Sequence, residues 1–243
     1  MPVAGVGVTK FKEHPRANRF MYGRTTLSSS EWTTAIKLSV GYANVRGDGY
    51  HKRRDEHGQT LRGMEATRCR RCDTENESIQ HVLGSCPYGE LMRNARHNKV
   101  KHTLTSLLRG RGFDCLEEVQ CTDHHGSIRK IDILAFEPGS RRAYIVDPTV
   151  RYEANDDIGH DVLVEKEQRY AGCANSLNAI FGQQHGQRDF RVFGLWVGGR
   201  GTISTQMVKF FEFFRLDKRL LPELGEMVLS SSIRMLHHHV NGP

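Results

Sequence analysis

No run of this chain approaches the roughly 18 apolar residues that a helix needs to cross a bilayer, which excludes a helical membrane span. The first thirty residues also lack the apolar segment of a secretory signal. The expectation is a soluble, intracellular chain with no membrane partner. Internal repeats and low-complexity tracts are absent, so a repeat architecture is excluded. Cysteine is present six times, but without secretory context it reads as metal-binding rather than as a disulfide framework. Cys69, Cys72 and Cys86 cluster with a histidine, whereas Cys115, Cys121 and Cys173 are scattered.

What the chain does carry is charge, unevenly placed. Residues 1–112 hold 20 Lys and Arg against 10 Asp and Glu, a balance of +10. Residues 113–243 hold 15 against 18, a balance of −3, which gives +7 over all 243 residues. A basic leading half suits a polyanion, most simply nucleic acid. That length allows one large domain, or a medium domain with a small appendage.

Residues 1–68 read as a basic arm. Ser28-Ser29-Ser30 before Glu31 and Trp32 marks a helix start over residues 31–40. With Ser30 as the cap, Thr33 stands where a capping box wants Glu or Gln, so the box is incomplete. The stretch 46–71 is polar and carries Lys52, Arg53, Arg54, Arg62, Arg68, Arg70 and Arg71. A helix is expected over 90–108, where His97, Val100, Leu104 and Leu107 share one face. Strands follow at 113–120, 130–136 and 142–148, then one long helix at 159–181 and a strand at 190–197. Helices at 204–220 and 223–236 close the chain. Helix, three strands, helix, strand, helix is an α/β order with a mixed sheet.

Cys69-Arg70-Arg71-Cys72, then His81 and Cys86, form a C-x2-C-x8-H-x4-C pattern. Zinc favours four tetrahedral thiolate and imidazole ligands, and a C-x2-C turn presents two sulfurs to one ion. A closed set of four predicts one structural Zn2+ in a module over 69–87. Its folding would display the neighbouring arginines, with Arg68, Arg70, Arg71 and Lys130 as expected nucleic-acid contacts.

Asp132 and Asp147 each stand in an otherwise apolar strand, which is costly unless they are paired or bind metal. A four-residue loop at 138–141 makes them direct cross-strand neighbours. Like charges so placed repel, and a divalent cation between them removes the conflict. Oxygen ligands suit Mg2+ or Mn2+. Val162, Lys166, Tyr170, Cys173, Leu177 and Phe181 form one apolar helix face, which aims Lys166 inward. Glu118, beside Glu117, is a further candidate ligand, though a solvent-facing strand glutamate fits equally.

The cysteine–histidine module, Arg96-His97-Asn98 opening a helix, Lys130-Ile131-Asp132, Asp147, and Lys166 with Tyr170 occur in one order. Together they resemble the carboxyl-terminal region of site-specific non-LTR retrotransposon proteins, which insert into large-subunit ribosomal RNA genes. The resemblance runs from about residue 46 to the end. It implies a restriction-like (PD-(D/E)xK) endonuclease over 88–243, preceded by a zinc knuckle. It implies that Asp132 and Asp147 bind the catalytic metal and that Lys166 is the catalytic lysine, with Tyr170, Arg96 and His97 as further site residues. Thr149 holds the position the lysine usually takes, and Ile131 stands where the family usually has proline. The implied partners are double-stranded ribosomal DNA and, through an upstream reverse transcriptase, the element's RNA. The implied location is the nucleus, and the chain reads as a fragment of a polyprotein. The rival expectations are a nucleic-acid-binding module with an inactive nuclease fold, and a structural scaffold.

Three features are assigned bland roles. Val197-Gly198-Gly199-Arg200-Gly201 lacks the Lys-Ser/Thr of a phosphate loop and reads as a strand-ending turn. Phe210, Phe211, Phe213 and Phe214 read as core, and His237-His238-His239 as an exposed polar end.

Overall fold

The computed structural model describes residues 7–48 and 51–242. Two 3-10 helices, Val8–Lys12 and Pro15–Tyr22, lead into helix α1 (Ser29–Ser39). Its cap is Ser28, two residues before the expected Ser30. That places Glu31 at the third helical position and completes the capping box: Ser28 Oγ accepts from Glu31 N, and Glu31 Oε2 from Ser28 N at 3.0 Å. Helices α2 (Gly63–Thr67) and α3 (Ile79–Gly84) flank the cysteine–histidine cluster, and α4 (Glu90–Gly110) follows.

Strands β1 (Asp114–Thr122), β2 (Ile128–Phe136) and β3 (Arg142–Arg151) form an antiparallel meander. Helices α5 (Ile158–Tyr170) and α6 (Ala174–His185) cross over to β4 (Asp189–Gly198), which runs parallel to β3. The sheet order is β1-β2-β3-β4, a mixed sheet of the expected α/β class. Helices α7 (Thr205–Phe213) and α8 (Leu221–Asn241) complete the described chain, with Lys218–Leu220 a separate 3-10 turn. Among the described residues no helix is long and apolar enough to cross a membrane.

The single helix expected over 159–181 breaks at Gly172. The β1–β2 turn packs closely at the break: a side chain on Gly172 would meet the His124 backbone nitrogen at 2.7 Å. The inward face survives the break: Val162, Lys166, Tyr170, Cys173 and Leu177 are all buried.

Helices cover both faces of the sheet. On one, Leu104, Ile133, Val146, Leu195, Phe210 and Val228 pack together. On the other, Leu134 and Ile145 meet Tyr170, Cys173 and Leu177. A further core joins Phe20 and Leu38 to Val82, Leu83, Leu229 and Ile233, so residues from the amino-terminal segment, α3 and α8 share one interior. Phe210, Phe211 and Phe214 are buried as expected, while Phe213 is 42% exposed. The Val197–Gly201 segment is a strand-ending turn, with Gly201 N donating to Gly198 O.

Candidate functional site

The β2–β3 ladder pairs Ile133 with Val146 and Leu134 with Ile145. One further step in that register sets Asp132 against Asp147. On its other side, β2 pairs Glu117 with Ile133 and Val119 with Ile131, and skips the intervening Glu118 and Asp132. Glu118 has a φ of 58°, rare for a residue with a side chain. The strands change face at this gap: Ile131 packs on the α5–α6 side, but Ile133 packs on the opposite side. Opposite Asp147 on β4 lies Gly194. Glu118, Asp132, Asp147 and Gly194 thus occupy one row across the sheet.

Helix α5 lies against that row. A side chain on Gly194 would stand 2.9 Å from Lys166 Cβ and 3.0 Å from Leu163 Cα. The missing side chain lets α5 come down far enough for Lys166 Nζ to reach Asp147 Oδ1 at 3.0 Å. Tyr170, one turn on, donates to Asp147 Oδ2 at 2.6 Å and lies 2.9 Å from the Lys130 carbonyl oxygen. Asp147 and Lys166 are 4% and 6% exposed, so each charge depends on its partners. Burial pushes the Asp147 carboxyl above its ordinary range, against the pull of Lys166, and the Asp132 charge adds to the rise. Burial and the neighbouring Asp147 charge push the Tyr170 hydroxyl up, which keeps it protonated and donating.

Helix α4 closes the other side. His97 Nε2 lies 3.2 Å from Asp132 Oδ2. One turn on, the buried Lys101 pairs with Glu118, which also binds Lys130. Burial opposes ionisation of Glu118, but the two lysines hold its carboxyl below its ordinary value. Glu118 is therefore engaged by two ammonium groups. Arg96 faces away from the row and does not open α4; it lies within the helix. It is 2% exposed and donates to Ser232 Oγ and the Leu83 carbonyl, both at 2.8 Å. The sequence left Lys101 and Gly194 unmarked. The only signal for Lys101 is its i+4 spacing from His97.

The Cys69, Cys72, His81 and Cys86 ligand atoms all lie within 4.8 Å of one another. Cys69 Sγ is 3.8 Å from Cys86 Sγ, and Cys72 Sγ is 3.4 Å from His81 Nε2. A tetrahedron with Zn–S near 2.3 Å and Zn–N near 2.0 Å has edges of about 3.8 and 3.5 Å. This Cys3His set can therefore hold zinc. His81 Nδ1 lies 2.9 Å from Glu75 Oε2, which turns Nε2 towards the sulfurs. The Ser78 hydroxyl caps α3 by accepting from His81 N, which fixes the helix that presents His81.

The arginines between the first two cysteines face inward instead of being displayed. Arg70 binds the buried Glu77, with Nε 2.9 Å from Oε1. Arg71 Nε donates to the His239 carbonyl at 2.7 Å, and its NH2 binds the Gly242 carbonyl. Its guanidinium also lies over Tyr88, 4.7 Å from the ring centroid. Arginine there satisfies carbonyls at the end of α8 that have no partner within the helix. Arg68 is half-buried, with its carbonyl accepting from Arg46 at 3.1 Å. Lys52, Arg53, Arg54 and Arg62 are exposed. His239, expected at an exposed end, is 2% exposed, and its Nε2 lies 3.6 Å from Cys69 Sγ.

No family model matches the chain. Over 139 residues the chain is 27% identical to the retrovirus-related Pol polyprotein from type-1 retrotransposable element R2 of Popillia japonica. The match covers 57% of this chain and 28% of that protein, so the chain spans less than a third of the length of this relative. The chain is thus distantly similar to a non-LTR retrotransposon Pol polyprotein, and it carries a Cys3His cluster compatible with a zinc knuckle.

Proposed function

We propose that this chain is the DNA-nicking part of a non-LTR retrotransposon polyprotein, with a restriction-endonuclease-like core and a zinc knuckle. The observation that carries the reading is the Asp132–Asp147 row with Lys166 and Tyr170 brought onto it by α5. The order α4-β1-β2-β3-α5-α6-β4 supports the core assignment, and the similarity to an R2 Pol polyprotein supports the biological setting.

Asp132 and Asp147 are the residues that would hold Mg2+ or Mn2+. Their donor set fits: both offer only oxygen, and the Asp132 charge already raises the Asp147 carboxyl, a repulsion a cation relieves. Such an ion supplies Lewis-acid stabilisation of a phosphodiester under attack. The protein's own groups do the positioning. Lys166 holds a positive charge beside Asp147, where negative charge builds on the phosphate. Tyr170 fixes the second Asp147 oxygen. His97 orients the Asp132 carboxylate. The exposed Lys52, Arg53, Arg54 and Arg62 supply phosphate contacts to double-stranded target DNA. In the full polyprotein, the nick in a ribosomal RNA gene in the nucleus would prime reverse transcription of the element's RNA.

Supercoiled-plasmid nicking with Mg2+ tests this, comparing wild type with Asp147→Ala and Lys166→Ala. Nicking is expected only in the wild type. Persistence in Asp147→Ala sinks the site assignment. DNA binding without Mg2+ and no cleavage under any metal would favour the inactive binding module.

A further inference from the structure

The last described helix ends on the cysteine–histidine cluster, 170 residues along the chain from Cys69. A Cys3His zinc centre carries a net charge of about −1, since three thiolates outweigh one divalent ion. Two of its three thiolates are out of solvent: Cys69 and Cys86 are fully buried, and Cys72 is half-buried. Buried charge of this kind requires hydrogen-bond donors around the sulfurs. Arg71 N donates to Cys69 Sγ at 3.5 Å. The Cys72 backbone also hydrogen-bonds that sulfur, and from the α8 side His239 Nε2 lies 3.6 Å away.

Two alternatives for His239 fit the geometry less well. A carboxylate partner is the first: Glu77 Oε1 is 3.9 Å from the same nitrogen, beyond hydrogen-bond reach. Glu77 is already held by Arg70 through its backbone and side-chain nitrogens. A fifth ligand is the second. His239 groups with Cys69 and Glu77, whereas the four knuckle ligands form their own mutual set. Structural zinc is four-coordinate, and its four positions are taken. The imidazole is held in place from behind, with Arg71 Nε on the His239 carbonyl and the Tyr88 ring edge-on at 6.1 Å.

We propose that His239 is a positioning residue of the zinc centre, donating its Nε2–H to the Cys69 thiolate and tying the end of α8 to the ion. The proposal rests on zinc occupying the knuckle. Its consequence is a coupling: α8 contributes Leu224 and Val228 to the sheet core and Leu229 and Ile233 to the amino-terminal core. Metal binding at the knuckle therefore stabilises the helix that both cores share.

The test uses the full chain, with cobalt as the spectroscopic probe and zinc affinity measured by chelator competition. His239→Phe keeps the bulk of the ring and removes the donor; His239→Gln keeps an N–H donor; His238→Ala is the control. Expected is a zinc affinity lower by roughly ten- to hundredfold in His239→Phe, with at least partial rescue in His239→Gln and no change in His238→Ala. The cobalt spectrum should keep its tetrahedral three-sulfur, one-nitrogen character in every variant. Hydrogen exchange in residues 231–242 should rise in His239→Phe. Wild-type affinity in His239→Phe overturns the proposal, as does equal loss in the Phe and Gln variants. A change of cobalt coordination in His239→Phe overturns it in favour of direct ligation. A wild-type protein that takes up no cobalt or zinc overturns the zinc reading itself, which the variant comparison alone would not do.

Discussion

Gly194 sits beside Asp147 in the β3–β4 ladder, and this pairing sets how closely α5 approaches the carboxylate. Every contact between α5 and Asp147 depends on that glycine having no side chain.

Gly194→Ala should therefore disturb the candidate site without touching a polar group. The new methyl meets the Leu163 backbone at 3.0 Å, which a side-chain rotation cannot relieve. We expect a loss of about 1–3 kcal/mol in urea unfolding. Plasmid nicking should fall by up to about a hundredfold as Lys166 is displaced. Wild-type values in both measurements would refute the close-approach account.

Tyr170→Phe removes a donor to a buried carboxylate at 2.6 Å. Hydrogen bonds to charged groups contribute roughly 1.5–3 kcal/mol, and thermal or urea melts should show a loss in that range. A change below about 0.5 kcal/mol would mean that Asp147 finds a replacement partner.

If Asp132 and Asp147 share a divalent ion, Mg2+ must stabilise the folded chain by linkage. At tenfold excess over the dissociation constant the gain is about 1.4 kcal/mol. A thermal-shift series should show it in wild type and lose it in Asp132→Ala and Asp147→Ala. An equal shift in all three places the ion elsewhere.

Glu153 and Arg200 are both fully buried, 2.9 Å apart, and Glu153 also accepts from Thr202 at 3.0 Å. Glu153→Ala leaves the guanidinium without its carboxylate in the interior. About 3–5 kcal/mol of stability should be lost, read by chemical denaturation. A neutral result would show that water or a shifted backbone replaces the carboxylate.

The arginines divide into two groups with opposite signatures. Replacing the exposed Arg53 and Arg54 should weaken DNA binding and flatten its log–log salt dependence by about 0.9 per lost phosphate contact. Arg70→Ala should instead destabilise the fold, because it removes the guanidinium paired with the buried Glu77. Salt titrations by fluorescence anisotropy, set beside melting curves, separate the two. A lower salt slope in Arg70→Ala would return that residue to the DNA interface.

Much of the candidate site was legible because it is local. The β2–β3 register follows from a short turn, and the inward face of Lys166 from helical spacing, so both survive the break at Gly172. What the sequence concealed depends on contacts between distant segments. The break lies where His124, distant in sequence on another turn, packs against Gly172. Gly194 matters through what it leaves out, and composition assigns no meaning to one glycine in a strand. Lys101 is buried and pairs with Glu118, a residue on another element whose backbone is left-handed. Arg70 and Arg71 looked like surface charge because the helix end they bind lies about 170 residues further on. The serine run was recognised as a helix start, but choosing Ser30 over Ser28 hid the box that Glu31 completes.

Helix α8 also bears on when this protein becomes competent during its synthesis. Neither the amino-terminal core nor the sheet core is filled without side chains from α8. Synthesis runs from the amino terminus to the carboxyl terminus, so residues 11–45 of the amino-terminal core must wait for residues beyond 220. Until then Phe20, Leu38 and the strand faces stay partly uncovered. Translation arrest before α8 should accordingly yield an aggregation-prone intermediate with both cores unfilled.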